Sequence, residues 1–241
     1  MTVRLYVDAP LACDAQFALP AAAARHAQVR RLQPDDRLVL FDGRGGEWAA
    51  TVLHMGRSEV TVRVGDAAAV ERELATRVTL ALGMPANDRM DFLVEKATEL
   101  GVAVIQPLLC ERSVLRLAGD RASRKCEHWQ AVAVAAAEQC GRTRVPEVAP
   151  VLQFDRWLAA LHTDARCVLL SPRNDAMPLS AAAGGARALL TLSGPEGGLS
   201  PAEEAAAIAR QFVAARLGER ILRAETAPLA VLAWIGLSQT S

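Results

Sequence analysis

Between Arg77 and Gly194 the chain carries four short apolar runs, VTLALG, VAVIQPLL, CVLLS and ALLTLSG, separated by stretches of helical periodicity. This alternation restricts the fold more than any other feature of the sequence. Continuous apolar runs of this length are buried on both faces, which requires a largely parallel sheet with helices packed over it. Between the first two runs, Met90, Leu93, Val94, Ala97 and Leu100 recur at helical spacing, and Gly101 stands where a C-terminal cap belongs. The spacing predicts a helix there.

Residues 3–64 read differently, as the β segments VRLYV, DRLVLFDG, EWAATVLH and SEVTVRV. Asp42-Gly43 and Gly45-Gly46 separate two of them, as a hairpin turn does. A small β-rich domain is expected over residues 1–70 and an α/β domain over 75–241. The polar, alanine-rich stretch DAAAVEREL (Asp66 to Leu74) is the expected linker.

With 51% hydrophobic residues in 241, the chain has ample material for a core. No apolar stretch reaches the roughly eighteen residues of a membrane span, and MTVRLYVDAP lacks the apolar run of a signal peptide. The cytoplasm is the expected compartment. Cys13, Cys110, Cys126, Cys140 and Cys167 are scattered, with no C-x-x-C pair and no histidine at ligand spacing, so reduced thiols and no metal site are expected. Formal net charge is zero, which argues against the long-range field of a non-specific nucleic-acid binder. Locally, Arg112, Arg116, Arg121, Arg124, Lys125, Arg142 and Arg144 outnumber Asp120, Glu127 and Glu138. Arginine suits bidentate phosphate contacts, although its abundance beside alanine also fits a codon bias.

The most informative segment is LLTLSGPEGGLSPAEEAAAIA, an apolar strand that enters a loop with Gly194, Gly197 and Gly198 and leaves through a helix start. Ser200 is the expected N-cap, Pro201 falls at the first helical position, and Glu203 completes an S-x-x-E capping box. Such a loop lets backbone approach a ligand closely, and its free N–H and C=O groups can read an adenine or a ribose. It lacks the fingerprints of a P-loop and of a dinucleotide fold. Two glycines in a turn are also compatible with a purely structural role. The second segment, LGERILRAETAPLAVLAWIGL, sets Arg220, Arg223 and Glu225 immediately before an apolar helix starting near Pro228, with Thr226 positioned to cap it.

GPEGGLSPAE (Gly194 to Glu203) and LGERILRAETAPLAVL (Leu217 to Leu232) resemble the two hallmark loops of the ribosomal RNA small-subunit methyltransferase E family, a branch of the SPOUT class. The resemblance extends to EKATELGV (Glu95 to Val102), to Glu111–Ser113, to EQCGR (Glu138 to Arg142) with Pro146, and to HAQVRRLQPDD and LFDGRGGEW near the N-terminus. Arg30 stands where the family has leucine, and Asp35 where it has glycine. The resemblance implies a PUA-like β-barrel followed by a SPOUT domain with a C-terminal trefoil knot, acting as a homodimer. It implies S-adenosylmethionine as cofactor and N3 of a uridine in 16S ribosomal RNA of the small subunit as target. Leu192, Gly194, Pro195, Glu196, Gly197, Gly198, Leu217, Gly218, Ile221, Leu222 and Thr226 are the cofactor contacts it implies.

Methylating uracil at N3 means removing a weakly acidic imide proton and aligning the nitrogen with an electrophilic methyl. Arg112, Arg142, Arg220 and Arg223 are the candidates to face the negative charge that develops on the ring oxygens, and Glu138 or Glu225 to accept the proton. These carboxylates pairing with the same arginines in a structural network is the alternative. Arg25, Arg30 and Arg31 are the expected RNA contacts of the first domain. Competing readings are a non-catalytic RNA-binding or ribosome-assembly module, a SPOUT enzyme acting on another RNA, and an unrelated α/β enzyme.

Overall fold

A computed structural model describes residues 2–57, 59–173 and 175–239. The chain divides into two units, Met1–Glu73 with Val134–Val145, and Leu74–Ala133 with Pro146–Ser241. The first unit thus includes the segment Val134–Val145, at the end of the long helix and just after it, as well as the N-terminal residues.

The first unit contains β1 (Val3–Tyr6), β2 (Gln16–Ala18), α1 (Ala21–Val29), β3 (Arg37–Phe41), β4 (Glu47–Met55) and β5 (Val60–Ala68). The strands lie in the order β1-β3-β4-β5-β2, and β3 and β4 form the antiparallel hairpin expected around Asp42-Gly43. Alternation along β5 turns Val60, Val62 and Val64 inward onto Leu5, Leu38, Leu40 and Val52. Burying each such side chain contributes about 1.5–3 kcal/mol. Strand β5 continues to Ala68, paired with Glu47, so the expected linker shrinks to residues 69–74. Helix α1 was not anticipated, because AAAARHAQV buries only Ala23, Ala24 and Ala27 and so carries little apolar contrast. It ends with Arg31 N–H donating to the Gln28 carbonyl at 2.9 Å and Leu32 N–H to the Ala27 carbonyl at 3.2 Å. That paired cap requires a left-handed residue after the helix, and Arg31 supplies it at φ +56°. Asp35, where the resembling family has glycine, is also left-handed, at φ +72°.

The second unit begins with β6 (Arg77–Gly83), α2 (Asn87–Glu99) and β7 (Val104–Leu109), followed by α3 (Gly119–Cys140), which runs on into the segment counted with the first unit. Then come β8 (Glu147–Val148), β9 (Leu152–Gln153), α4 (Phe154–Ala160), β10 (Arg166–Leu170), β11 (Met177–Pro178), α5 (Leu179–Ala183), β12 (Ala188–Ser193), α6 (Pro201–Ala209), β13 (Val213–Arg216) and α7 (Thr226–Ser238). The sheet order is β11-β13-β10-β12-β6-β7-β8, with β9 also on β7, and the pairings described are parallel. The four apolar runs are β6, β7, β10 and β12. On one side of the sheet Leu169, Leu190 and Leu192 pack with Phe154, Trp157 and Phe212. Gly101 closes α2 as expected, at φ +92°, and a β carbon there would lie 2.7 Å from Leu74 Cγ. Because β13, β10 and β12 are adjacent and parallel, their C-terminal ends emerge side by side.

Candidate active site

Those three strand ends open into a cavity of about 480 Å³, within the range of small-molecule sites. Leu170, Ser171 and Pro172 follow or end β10, Ser193 to Gly198 end and follow β12, and Ala215, Leu217 and Gly218 end and follow β13. Arg220 to Ala224 and Ala227 complete the wall, with Arg89 reaching in from α2. Ligands of open α/β sheets gather at the carboxyl ends of strands, where the loops leave free backbone groups.

The glycine loop is held from several directions. A β carbon on Gly194 would lie 2.5 Å from the Leu199 nitrogen, and one on Gly83 would lie 2.4 Å from Pro195 Cδ, so both glycines allow a close crossing of backbone. Gly83 was missed in the sequence, since nothing in VTLALG announces what crosses it. Gly198 adopts φ +69°. Arg112 Nη1 donates to the carbonyls of Gly197 at 3.1 Å and Leu199 at 3.2 Å. Ser200 and Glu203 form the expected capping box. The same buried carboxylate accepts from the Glu111 backbone N–H at 2.8 Å, tying the start of α6 to the loop that carries Arg112. Glu196 accepts from the Ala86 N–H at 2.8 Å and pairs with Arg89 at 3.4 Å.

Gly194, Pro195, Glu196, Gly197, Gly198, Leu217, Gly218, Ile221 and Leu222 line the cavity. Leu192 and Thr226 do not: Leu192 is fully buried in the apolar core, because the residue before the strand end faces away from the loop. Thr226 is not the cap of α7 either, since its own N–H donates to the Arg223 carbonyl at 2.9 Å and it forms the first helical turn. Arg223 lines the cavity, exposed, without an ion pair among the described residues. Glu225 is 9% exposed, and its Oε2 is buried without a hydrogen-bond partner among the described residues. Ser171 and Ser193, in the cavity wall, also have buried hydroxyls without a partner there. Neither serine was singled out in the sequence, and only the strand register brings them to this place.

Glu138 and Arg142 belong to the first unit, whereas the cavity is lined by residues of the second. Glu138 accepts from the Tyr6 N–H at 2.8 Å and meets His26 Nδ1 at 2.9 Å. Arg142, 4% exposed, forms a two-pronged pair with Glu73, and its carbonyl accepts from Arg4. Arg25, Arg30 and Arg31 are exposed on and just after α1, and Arg30 Nε approaches His26 Nε2 at 3.4 Å. Arg31 makes no ion pair with Asp35 or Asp36 among the described residues. Among the described residues no cluster of potential metal ligands is present, and no helix is long and apolar enough to cross a membrane.

Residues 72–236 match the family model of the RNA methyltransferase domain, and residues 19–65 that of the RNA methyltransferase PUA domain. The chain is 33% identical over 240 residues to the ribosomal RNA small subunit methyltransferase E of Synechocystis sp., covering 98% of this chain and 77% of that one. It is 32% identical to the protein of the same name from Bacillus subtilis, covering 91% and 89%. The crystal structure of a ribosomal RNA small subunit methyltransferase E from Neisseria gonorrhoeae, bound to S-adenosylmethionine, superposes with a TM-score of 0.92 at 32% identity, covering 99% of this chain and 98% of that one. A putative methyltransferase from Legionella pneumophila, in complex with S-adenosylmethionine, superposes with a TM-score of 0.93 at 27% identity, covering 99% and 98%.

Proposed function

Because this chain belongs to the ribosomal RNA small subunit methyltransferase E family, we propose that it uses S-adenosylmethionine to methylate N3 of one uridine in 16S ribosomal RNA. The observation that carries this reading is the cavity at the ends of β10, β12 and β13, walled by the glycine loop and by Leu217–Ala224. The cavity fits a nucleoside-bearing cofactor: it offers backbone groups at Gly194 to Gly198, apolar contact from Leu217 and Leu222, and the hydroxyls of Ser171 and Ser193, which have no hydrogen-bond partner among the described residues.

When bound, S-adenosylmethionine supplies a methyl group on a positively charged sulfur. The chain's residues supply the rest. Arg223 faces the uracil oxygens, where negative charge grows as the N3 proton leaves. Glu225, which follows the cavity-wall residues Arg223 and Ala224 without itself lining the cavity, is the candidate to accept that proton, a role supported by a buried carboxylate oxygen that has no hydrogen-bond partner among the described residues. Arg112 is a positioning residue, since its guanidinium is engaged with the glycine loop. Glu138 and Arg142 hold the first unit together through their bonds to Tyr6, His26 and Glu73. Arg25, Arg30 and Arg31 dock RNA phosphates from the first unit, which acts as the PUA-like RNA-binding domain. The working compartment is the cytoplasm, where the small subunit is built.

The trefoil knot belongs to this reading too. It is supported by β13, the last strand in sequence, lying inside the sheet between β11 and β10 instead of at an edge. So does the homodimer, supported by α7, which is apolar on every side and leaves Trp234 36% and Leu237 75% exposed. Calorimetry with S-adenosylmethionine tests cofactor use, and mass spectrometry of ribosomal RNA from a deletion strain tests the target through loss of one 3-methyluridine. Retention of every 3-methyluridine, with purified protein still binding the cofactor, would redirect the activity to another RNA.

A further inference from the structure

Among the exposed large apolar side chains, Ile221 stands out at 85% exposure, and it lines the cavity. A single exposed apolar residue on an open surface needs no explanation. This one sits between Arg220 and Arg223, both exposed and both without a side-chain partner among the described residues. Neighbouring arginines of the same unit are differently placed: Arg89 pairs with Glu196, Arg173 with Asp175 and Arg216 with Glu219. The next residue, Leu222, is half-buried and also lines the cavity, so of the two adjacent apolar side chains at the cavity wall Ile221 is the one left open to solvent. Its far end is anchored, since Thr226 and Ala227 donate to the Arg223 carbonyl at 2.9 and 3.1 Å.

N3 of uracil lies on the base-pairing edge, so the uridine has to be unpaired, and an enzyme that draws it into a cavity turns the base out of its stack. The gap left behind costs a few kcal/mol, and proteins commonly offset it by inserting an apolar side chain beside arginines that hold the backbone. We propose that Arg220-Ile221 is the RNA-engaging tip of this enzyme, Ile221 wedging against the stack that the substrate uridine leaves and Arg220 gripping an adjacent phosphate. This rests on the methyltransferase reading and moves Ile221 from the cofactor to the RNA.

The test uses the full-length protein with small ribosomal subunits as substrate and compares Ile221→Ala, Ile221→Leu and Arg220→Ala with wild type. Calorimetry gives the affinity for S-adenosylmethionine, and methyl transfer over a salt series gives kcat and KM. Ile221→Ala keeps cofactor affinity within about twofold and lowers kcat about tenfold. Ile221→Leu restores most of the rate, because the larger side chain again fills the gap. Arg220→Ala raises KM and weakens its salt dependence, since fewer counterions are released. A tenfold loss of cofactor affinity in Ile221→Ala would place the side chain on the cofactor and overturn the proposal, and so would undiminished methyl transfer. Wild-type protein that binds no S-adenosylmethionine would instead remove the reading beneath it.

Discussion

Arg112 and Gly197 are packed against each other: a β carbon on Gly197 would lie 3.2 Å from Arg112 Cβ, and Arg112 Nη1 donates to the Gly197 carbonyl at 3.1 Å. The space beside Gly197 is thus filled by an arginine stem. A substitution at Gly197 acts first on Arg112, and a substitution at Arg112 acts first on the loop.

Arg112→Ala removes two charge-assisted bonds from the glycine loop, to Gly197 and Leu199. Since the guanidinium is exposed, the loss is expected at about 1–2 kcal/mol, or roughly tenfold in S-adenosylmethionine affinity by calorimetry. A lowered kcat with intact cofactor affinity would show instead that Arg112 touches the substrate.

Gly194 and Gly198 are expected to respond differently to alanine. At Gly194 the new β carbon meets the Leu199 nitrogen at 2.5 Å and must displace backbone, so cofactor binding is lost. At Gly198 nothing lies within 4 Å, and only the left-handed φ of +69° opposes the change, at about 1 kcal/mol. Thermal melts with and without S-adenosylmethionine separate the two: Gly198→Ala lowers Tm slightly and keeps the ligand-induced rise, while Gly194→Ala loses that rise.

Arg31 occupies the left-handed position after α1 that glycine fills at lower cost. Arg31→Gly should therefore raise stability by about 1 kcal/mol in urea unfolding. If the side chain docks RNA, Arg31→Glu weakens subunit binding and flattens its salt dependence, with S-adenosylmethionine affinity unchanged. Full methyl transfer by Arg31→Glu at every salt concentration would remove Arg31 from the RNA surface.

Glu47 links acid stability to the first unit. Burial works against its charge, but hydrogen bonds from Arg4 and Arg72 outweigh that and hold its carboxyl below the ordinary 4.5. A carboxylate with a lowered folded pKa contributes stability that is fully present above its unfolded value and is lost as pH falls through the folded one. Glu47→Gln should therefore lower stability at pH 7 and flatten its fall below about pH 4.5. Urea midpoints at pH 7, 5, 4 and 3 check this, and parallel curves for variant and wild type would exclude the linkage.

The sequence by itself determined the local structure around the site. Strand runs, the Gly101 cap, the Ser200–Glu203 capping box and the glycine turn are each specified by residues a few positions apart, and the structure contains them. Only the tertiary structure decided which distant groups meet. Nothing near Gly83 predicts that Pro195 crosses it, and nothing near Arg89 predicts its pairing with Glu196. Glu138 and Arg142 lie in a segment to which the family resemblance extends, yet their bonds go to Tyr6, His26 and Glu73. The physical reason is range. Capping, turn geometry and alternation act between near neighbours in the chain, whereas the partner of a charged side chain is set by strand order and register, to which residues far apart in sequence contribute together.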